Sequence, residues 1–126
     1  MTAECAPSRA GRDTAVLVRT IVVVEDRLVS NLVGAVLRKH GYLVRGAELS
    51  EALTLLREDP GGVGVLVTNA PAAFLEFGDR VPLLYLTSQP DVKLRASFSA
   101  CRVVLKPFVP SELAEAVAEL MGSQNH

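Results

Sequence analysis

Five short apolar blocks alternate with helix-like segments along this chain, and this alternation restricts the fold more than any other feature. The first block, T-I-V-V-V at residues 20–24, is β-branched and lacks the alternating polarity of a half-exposed strand. Such blocks predict strands that are covered on both faces. Since strands that alternate with helices join through right-handed crossovers, the chain predicts an α/β fold with one parallel sheet between two helical layers.

Local signals place the individual elements. The segment 28–39 has apolar residues at helical spacing and ends at His40 and Gly41, while Ser50 is the predicted cap of the second helix. Only residues 72–80 separate strands three and four, so the third helix is predicted to have one or two turns at most. The predicted strands cover residues 20–24, 42–44, 63–68, 81–87 and 102–105, and the other predicted helices cover 50–58, 91–99 and 110–120.

Composition excludes several classes of protein. With 13 basic and 14 acidic side chains the formal charge is −1, so no basic footprint indicates nucleic-acid binding. The two cysteines, Cys5 and Cys101, are far apart in sequence and predict free thiols, with Cys101 a small core residue. No run has the length of a membrane span or a signal peptide. We therefore expect a cytoplasmic protein with no membrane segment.

The chain predicts one domain with short extensions. Residues 1–18 are small, polar and interrupted by Gly and Pro, which indicates a flexible leader. The domain itself is predicted over residues 19–121, and residues 122–126 form a tail. Phe74 and Phe77 are expected to pack the shortened third helix, although an exposed aromatic pair there would be a contact point.

Polar side chains follow four of the predicted strands. Glu25 and Asp26 follow the first strand, Asn69 follows the third, Thr87 closes the fourth and Lys106 follows the fifth. The carboxyl ends of parallel strands share one edge of a sheet, where open α/β sheets bind ligands. Carboxylates with a nearby lysine suit Mg²⁺ and a phosphoryl group, but each residue taken alone also fits an ordinary turn or helix cap.

Four segments, I-V-V-V-E-D-R, H-G-Y-L-V, V-P-L-L-Y-L-T-S and L-K-P-F, occur in an order that resembles the receiver domains of two-component response regulators. The resemblance covers residues 19–121. It implies a flavodoxin-like (CheY-like) doubly wound sheet with strand order 2-1-3-4-5, here with a shortened third helix. It also implies that Glu25 and Asp26 are the acidic pair of a metal site, that Thr87 is the switch hydroxyl and that Lys106 is the phosphate-contacting lysine.

Three features depart from the pattern of this family: the acceptor residue, the aromatic switch residue and the shortened third helix. Asn69 stands where the family has its phosphate-accepting aspartate, and an amide is a poor nucleophile for that step. Pro71 lies at the position that usually lends a backbone carbonyl to the metal. Because an amide replaces the third carboxylate, Glu25, Asp26 and Asn69 predict a magnesium site that is weak or absent. Val103 replaces the aromatic switch residue. An experimentally introduced Asn69 would not explain Val103 or the short third helix.

These departures predict a pseudo-receiver, a non-enzymatic signalling domain that acts through protein contacts without phosphorylation. By analogy with the family, the predicted contact face comprises the fourth helix, fifth strand and fifth helix, with a histidine kinase, another signalling protein or a second copy as partner. Two alternatives stay open: a working phosphoreceiver that uses Asp26 or Thr87 as acceptor, and an Mg²⁺-dependent phosphoryl-binding protein. No appended helix-turn-helix indicates DNA binding.

Overall fold

Five parallel strands form one sheet in the order β2-β1-β3-β4-β5 in a computed structural model that describes residues 19–123. This order confirms the predicted α/β topology. The strands are β1 (Thr20–Val24), β2 (Leu43–Gly46), β3 (Val63–Thr68), β4 (Leu83–Thr87) and β5 (Cys101–Leu105). The α-helices are α1 (Arg27–Lys39), α2 (Leu49–Glu58), α3 (Val92–Ala96) and α4 (Pro110–Ser123), and 3-10 helices span Pro60–Gly62 and Pro71–Phe77.

The sheet separates two hydrophobic clusters. On one face α1 and α4 pack against alternate strand residues such as Ile21 and Val65, and on the other face α2, the Pro71–Phe77 segment and Phe98 cover Val22 and Leu66. All six residues of β3 are buried because this central strand is covered on both sides. The inner face predicted for the last helix is confirmed, since its four apolar positions are buried: Leu113, Ala116, Val117 and Leu120.

The third helix is replaced by a 3-10 segment, Pro71–Phe77, that is interrupted at Phe74, where φ is −119° and ψ is 18°. No α-helix therefore connects β3 to β4. Phe74 and Phe77 are 0% and 2% exposed and belong to the second cluster, so the alternative of an exposed aromatic pair is wrong. Two buried rings let this short segment cover the sheet in place of a longer helix.

Several local predictions need correction. Ser50 does not cap α2; the cap is Glu48, whose backbone N–H donates to Oε1 of Glu51 at 3.4 Å. Leu28 and Leu32 do not belong to the buried face of α1, since they are 80% and 53% exposed. The side of α1 that faces the sheet is formed by Val33, Val36 and Leu37, and Leu28 lies far from that side. Helical spacing alone does not identify which edge of an apolar stripe meets the sheet.

The boundaries of other elements also differ from those predicted: β2 covers Leu43–Gly46 instead of 42–44, and β5 begins one residue early, at Cys101. Strand β4 begins at Leu83, two residues late, and α3 covers only Val92–Ala96 of the predicted 91–99. Helix α4 continues to Ser123, two residues past the predicted end of the domain. The predicted leader, residues 1–18, lies outside the described residues, as do residues 124–126.

Candidate functional site

Glu25, the first residue after β1, has a side chain with no exposed surface. Its Oε1 accepts a hydrogen bond from Nζ of Lys106 at 3.3 Å, whereas Oε2 is buried with no hydrogen-bond partner. Burial raises the pKa of Glu25, and the nearby Lys106 opposes that increase without cancelling it. The two residues therefore form an ion pair at the carboxyl edge of the sheet that leaves one carboxylate oxygen unsatisfied.

Asp26 has a structural role at the same edge. It is exposed, and its Oδ1 accepts a hydrogen bond from the backbone N–H of Val29 at 3.0 Å, which caps the start of α1. A capped helix start satisfies one of the N–H groups that have no partner within the helix. An ordinary role as a helix cap therefore accounts for one of the two carboxylate oxygens of Asp26.

Asn69 follows β3 and is exposed at the rim of a cavity of about 340 Å³. Glu25 and Asp26 line the same cavity, so three of the sequence-predicted site residues lie together. They meet because β1 and β3 are neighbours, with Val24 opposite Thr68 immediately before them. The rest of the wall is mainly apolar: Val24, Ala47, Leu49, Ala70, Ala73 and Phe74.

The other predicted site residues do not line this cavity. Thr87 is partly buried at the end of β4, and its Oγ1 accepts a hydrogen bond from the backbone N–H of Gln89 at 3.1 Å. Its backbone oxygen accepts from the N–H of Lys106 at 2.9 Å. Pro71 is buried at the start of the 3-10 segment, and Val103 is partly buried against the second hydrophobic cluster.

Glu48 was not predicted as a site residue, yet it lines this cavity and a second one of about 500 Å³. The second cavity lies between the start of α1 and the loop after β2, and it also contains Glu25 and Glu51. The signal for Glu48 was present in the sequence, because it follows an edge strand at the same carboxyl edge. It was missed because β2 was expected to end at residue 44, further from Glu48.

The two cavities that Glu25 and Glu48 line form one crevice at the carboxyl edge of the sheet. This crevice offers a poor set of ligands for Mg²⁺. Among residues 19–123 no three His, Cys, Asp or Glu residues are grouped so that they could hold a metal ion. Two of the carboxylate oxygens already accept hydrogen bonds: Oε1 of Glu25 from Lys106, and Oδ1 of Asp26 from the backbone N–H of Val29. Because Mg²⁺ requires near-octahedral oxygen coordination, these residues do not fit it well. Weak or absent magnesium binding stays a prediction.

Comparison with known sequences finds no match: no family model and no curated protein corresponds to this chain. Comparison with solved structures is informative. A candidate response regulator from Chloroflexus aurantiacus is 25% identical, with a TM-score of 0.68 over 82% of this chain and 98% of its own. CheY4 of Vibrio cholerae, a chemotaxis response regulator, is 18% identical, with a TM-score of 0.68 over 81% and 98%.

A CheY-like receiver domain protein from Methanospirillum hungatei is 22% identical, with a TM-score of 0.65 over 86% of this chain and 98% of that protein. The chain has the CheY-like receiver fold. This conclusion confirms the flavodoxin-like strand order predicted from the sequence, and it places the Glu25 crevice at the carboxyl edge of a receiver sheet. None of the helices within residues 19–123 combines the length and apolarity needed to span a bilayer.

Proposed function

We propose that this receiver-fold chain acts in signal transduction through protein contacts that do not depend on phosphorylation. Asn69 carries the proposal. It stands beside Glu25 and Asp26 at the mouth of the crevice, where the resemblance places an accepting aspartate, and its amide cannot attack a phosphodonor as a carboxylate does. Such a chain has no phosphorylated state to switch to, so its conformation is either fixed by folding or selected by partner binding.

The two residues that could replace Asn69 as acceptors already have backbone partners. Oδ1 of Asp26 accepts from Val29 N–H, and Oγ1 of Thr87 accepts from Gln89 N–H. A phosphoryl group on either oxygen would disrupt the start of α1 or the turn after β4. These contacts favour the binding module over a phosphoreceiver that uses Oδ1 of Asp26 or Oγ1 of Thr87 as acceptor.

The pairing of Glu25 with Lys106 supports the same proposal. In the family that the sequence resembles, the corresponding lysine contacts the phosphoryl group. Here Nζ of Lys106 lies 3.3 Å from Glu25 and its side chain is 27% exposed. A lysine that already has an anionic partner does not require a phosphoryl group for charge balance.

The contact face is proposed to comprise α3, β5 and α4, which correspond to the predicted fourth helix, fifth strand and fifth helix. Val92, Leu105 and Val109 are 77%, 55% and 52% exposed there. β5 is also an edge strand of the sheet. Apolar side chains beside an open edge suit a protein partner or a second copy, and a histidine kinase or another signalling protein in the cytoplasm remains the expected partner.

Phosphodonor treatment tests the proposal. The native protein and an Asn69→Asp variant are incubated with acetyl phosphate and Mg²⁺, and their intact masses are measured. Asn31→Asp is the matched control, because Asn31 is another exposed asparagine near the crevice. We expect an unmodified native protein. Phosphorylation of Asn69→Asp but not of Asn31→Asp would locate the lost chemistry at residue 69.

Each remaining outcome is also informative. If neither aspartate variant is modified, the crevice lacks more than the acceptor, which still agrees with a protein that works without phosphorylation. If the native chain gains a phosphoryl group at stoichiometric levels, the proposal is wrong. Peptide mapping of the adduct would then identify the accepting residue.

A further inference from the structure

Helix α3 is too short and too exposed to fix its own position on the sheet. It comprises five residues, Val92–Ala96, none of which is buried, and Val92 is 77% exposed. A helix of this length is unstable by itself, and most helical stability in proteins comes from packing of an apolar face. The position of α3 therefore depends on contacts made by the residues at its two ends.

The start of α3 is joined to β4 by a buried hydroxyl. The backbone N–H of Asp91, which caps the helix, donates a hydrogen bond to the hydroxyl of Tyr85 at 3.4 Å. Tyr85 lies in the middle of β4, is 4% exposed and belongs to the second hydrophobic cluster. Oδ1 of Asp91 accepts from the backbone N–H of Lys93 at 2.9 Å, so Asp91 connects the first turn of α3 to the sheet.

The end of α3 is joined to the chain that follows the Pro71–Phe77 segment. Phe98, two residues after the helix, is 5% exposed within the second cluster. The N–H and the hydroxyl of Ser99 both donate to the carbonyl of Gly78, at 2.9 and 3.1 Å. Gly78 has no space for a side chain, because a Cβ there would meet the carbonyl oxygen of Ser97. This close approach leaves the end of α3 little freedom to shift.

Strand β5 adds no side chain that could move α3. Val103 is the residue of β5 directly opposite Tyr85, and both pack in the second cluster. A β-branched side chain is short and restricted at χ1, so Val103 has no large group that could turn between an inward and an outward orientation. The hydrogen bond between Tyr85 and Asp91 therefore has no competitor from this position of the neighbouring strand.

We propose that Tyr85 and Gly78 hold α3 in one position, so that the contact face formed by α3, β5 and α4 is set by folding and not selected by a partner. This inference rests on the proposed function, because it identifies how a chain without a phosphorylated state sets its conformation. A partner would meet a surface on which Val92 and Leu105 are already exposed. Binding would then require little ordering of this face.

The test measures amide hydrogen exchange and ¹⁵N relaxation dispersion of the full chain, both read residue by residue by NMR. The native protein should show no microsecond-to-millisecond exchange at residues 91–99. In Tyr85→Phe, amide hydrogens of residues 91–99 should exchange about fivefold faster relative to those of β3, and relaxation dispersion should appear at these residues alone. Tyr42→Phe is the matched control and should change neither, because Tyr42, the only other tyrosine, packs against the first cluster.

A second pair of variants tests the other end of α3. Ser99→Ala removes one of the two hydrogen bonds to Gly78, and we expect amide exchange at residues 91–99 to rise about threefold relative to β3. Ser97→Ala should leave it unchanged, because the hydroxyl of Ser97 donates to the carbonyl of Lys93 within the same turn, at 3.1 Å. If Tyr85→Phe does not fold, this pair still tests the inference.

Two results would overturn the inference. Relaxation dispersion confined to residues 91–99 in the native protein would mean that α3 has more than one populated position. Residues 91–99 that exchange no faster relative to β3 in both Tyr85→Phe and Ser99→Ala would mean that these hydroxyls do not hold the helix. The phosphodonor outcome is independent of both. An unphosphorylated protein with a mobile α3 would retain the proposed function, with partner binding selecting its conformation.

Discussion

Nζ of Lys106, after β5, lies 3.3 Å from Oε1 of Glu25, after β1, so two residues 81 positions apart pair across the carboxyl edge of the sheet. The pair joins a partly buried cation, whose side chain is 27% exposed, to a carboxylate with no exposed surface. It leaves the second oxygen of Glu25 without a donor. This arrangement makes the charge of Glu25 important for the stability of the protein and for its dependence on pH.

Replacing Glu25 with glutamine should stabilise the protein at neutral pH. Burial raises the pKa of Glu25 above its ordinary value of 4.5, and Lys106 offsets only part of that increase. The native state thus holds this proton more tightly than the unfolded chain does, so the free energy of unfolding falls as the pH rises through the raised pKa. We expect Glu25→Gln to be more stable than the native protein at pH 7.5, because the variant no longer buries this charge.

Urea unfolding at pH 7.5 and pH 4 measures this effect. The stability gained by the variant should shrink at pH 4, where Glu25 of the unsubstituted protein is largely protonated in both the folded and the unfolded state. Glu58→Gln serves as the exposed control and should change little at either pH. A variant less stable than the native protein at pH 7.5 would mean that the Lys106 pair outweighs the burial of the charge.

Alanine at position 78 should destabilise the protein by about 2 kcal/mol, as overpacking of a well-packed site does. A Cβ there would collide with the backbone carbonyl of Ser97, and the carbonyl of Gly78 accepts the N–H of Ser99 at 2.9 Å. The segments around residues 78 and 97 cannot move apart without breaking the hydrogen bond between the N–H of Ser99 and the carbonyl of Gly78. Thermal or urea unfolding of Gly78→Ala measures the loss.

Gly122→Ala is the matched control, because a Cβ at Gly122 meets no atom within 4 Å and the residue lies in α4. Since alanine favours a helix over glycine, this variant should be neutral or more stable by up to about 1 kcal/mol. Equal destabilisation by both changes would show that close approach at residue 78 is not the cause.

Phe74→Ala should cost about 3–5 kcal/mol, because this ring is fully buried in the 3-10 segment and forms part of the crevice wall. Leu75→Ala, one residue away and 45% exposed in the native protein, should cost well under half as much. Denaturant unfolding of both variants makes the comparison. Similar losses would indicate that the segment contributes little to the core.

If the α3, β5 and α4 face joins two copies of the chain, a charge on it should separate them. Leu105→Lys places a cation at a 55% exposed apolar position beside the sheet edge. Sedimentation velocity over a range of concentrations should show a dimer for the native chain and a monomer for this variant. Leu28→Lys, on the exposed side of α1, should leave the dimer intact.

A native chain that sediments as a monomer at all concentrations would contradict the homodimer. The face would then be available for a different protein. A monomer produced equally by Leu105→Lys and Leu28→Lys would show that added charge, rather than its position, disperses the chains.

Local sequence determined which elements form. The β-branched block at 63–68 and the apolar spacing of residues 113, 116, 117 and 120 describe a buried strand and a helix face that the structure confirms, because burial on two faces or one face leaves a direct pattern in the chain. The order of strands came from the resemblance of whole segments. Parallel strands then bring the residues that follow them to one edge, which is why Glu25, Asp26 and Asn69 were predicted to meet.

Only the tertiary structure decided what those residues do there. Sequence does not reveal that Asp26 caps α1 while Glu25 turns inward to Lys106, because both outcomes suit an acidic residue after a strand. Nor does it reveal that Glu48, from the other side of β1, completes the acidic crevice. Side-chain direction, burial and the partner of each charge depend on residues far apart along the chain, so they are set when the sheet assembles.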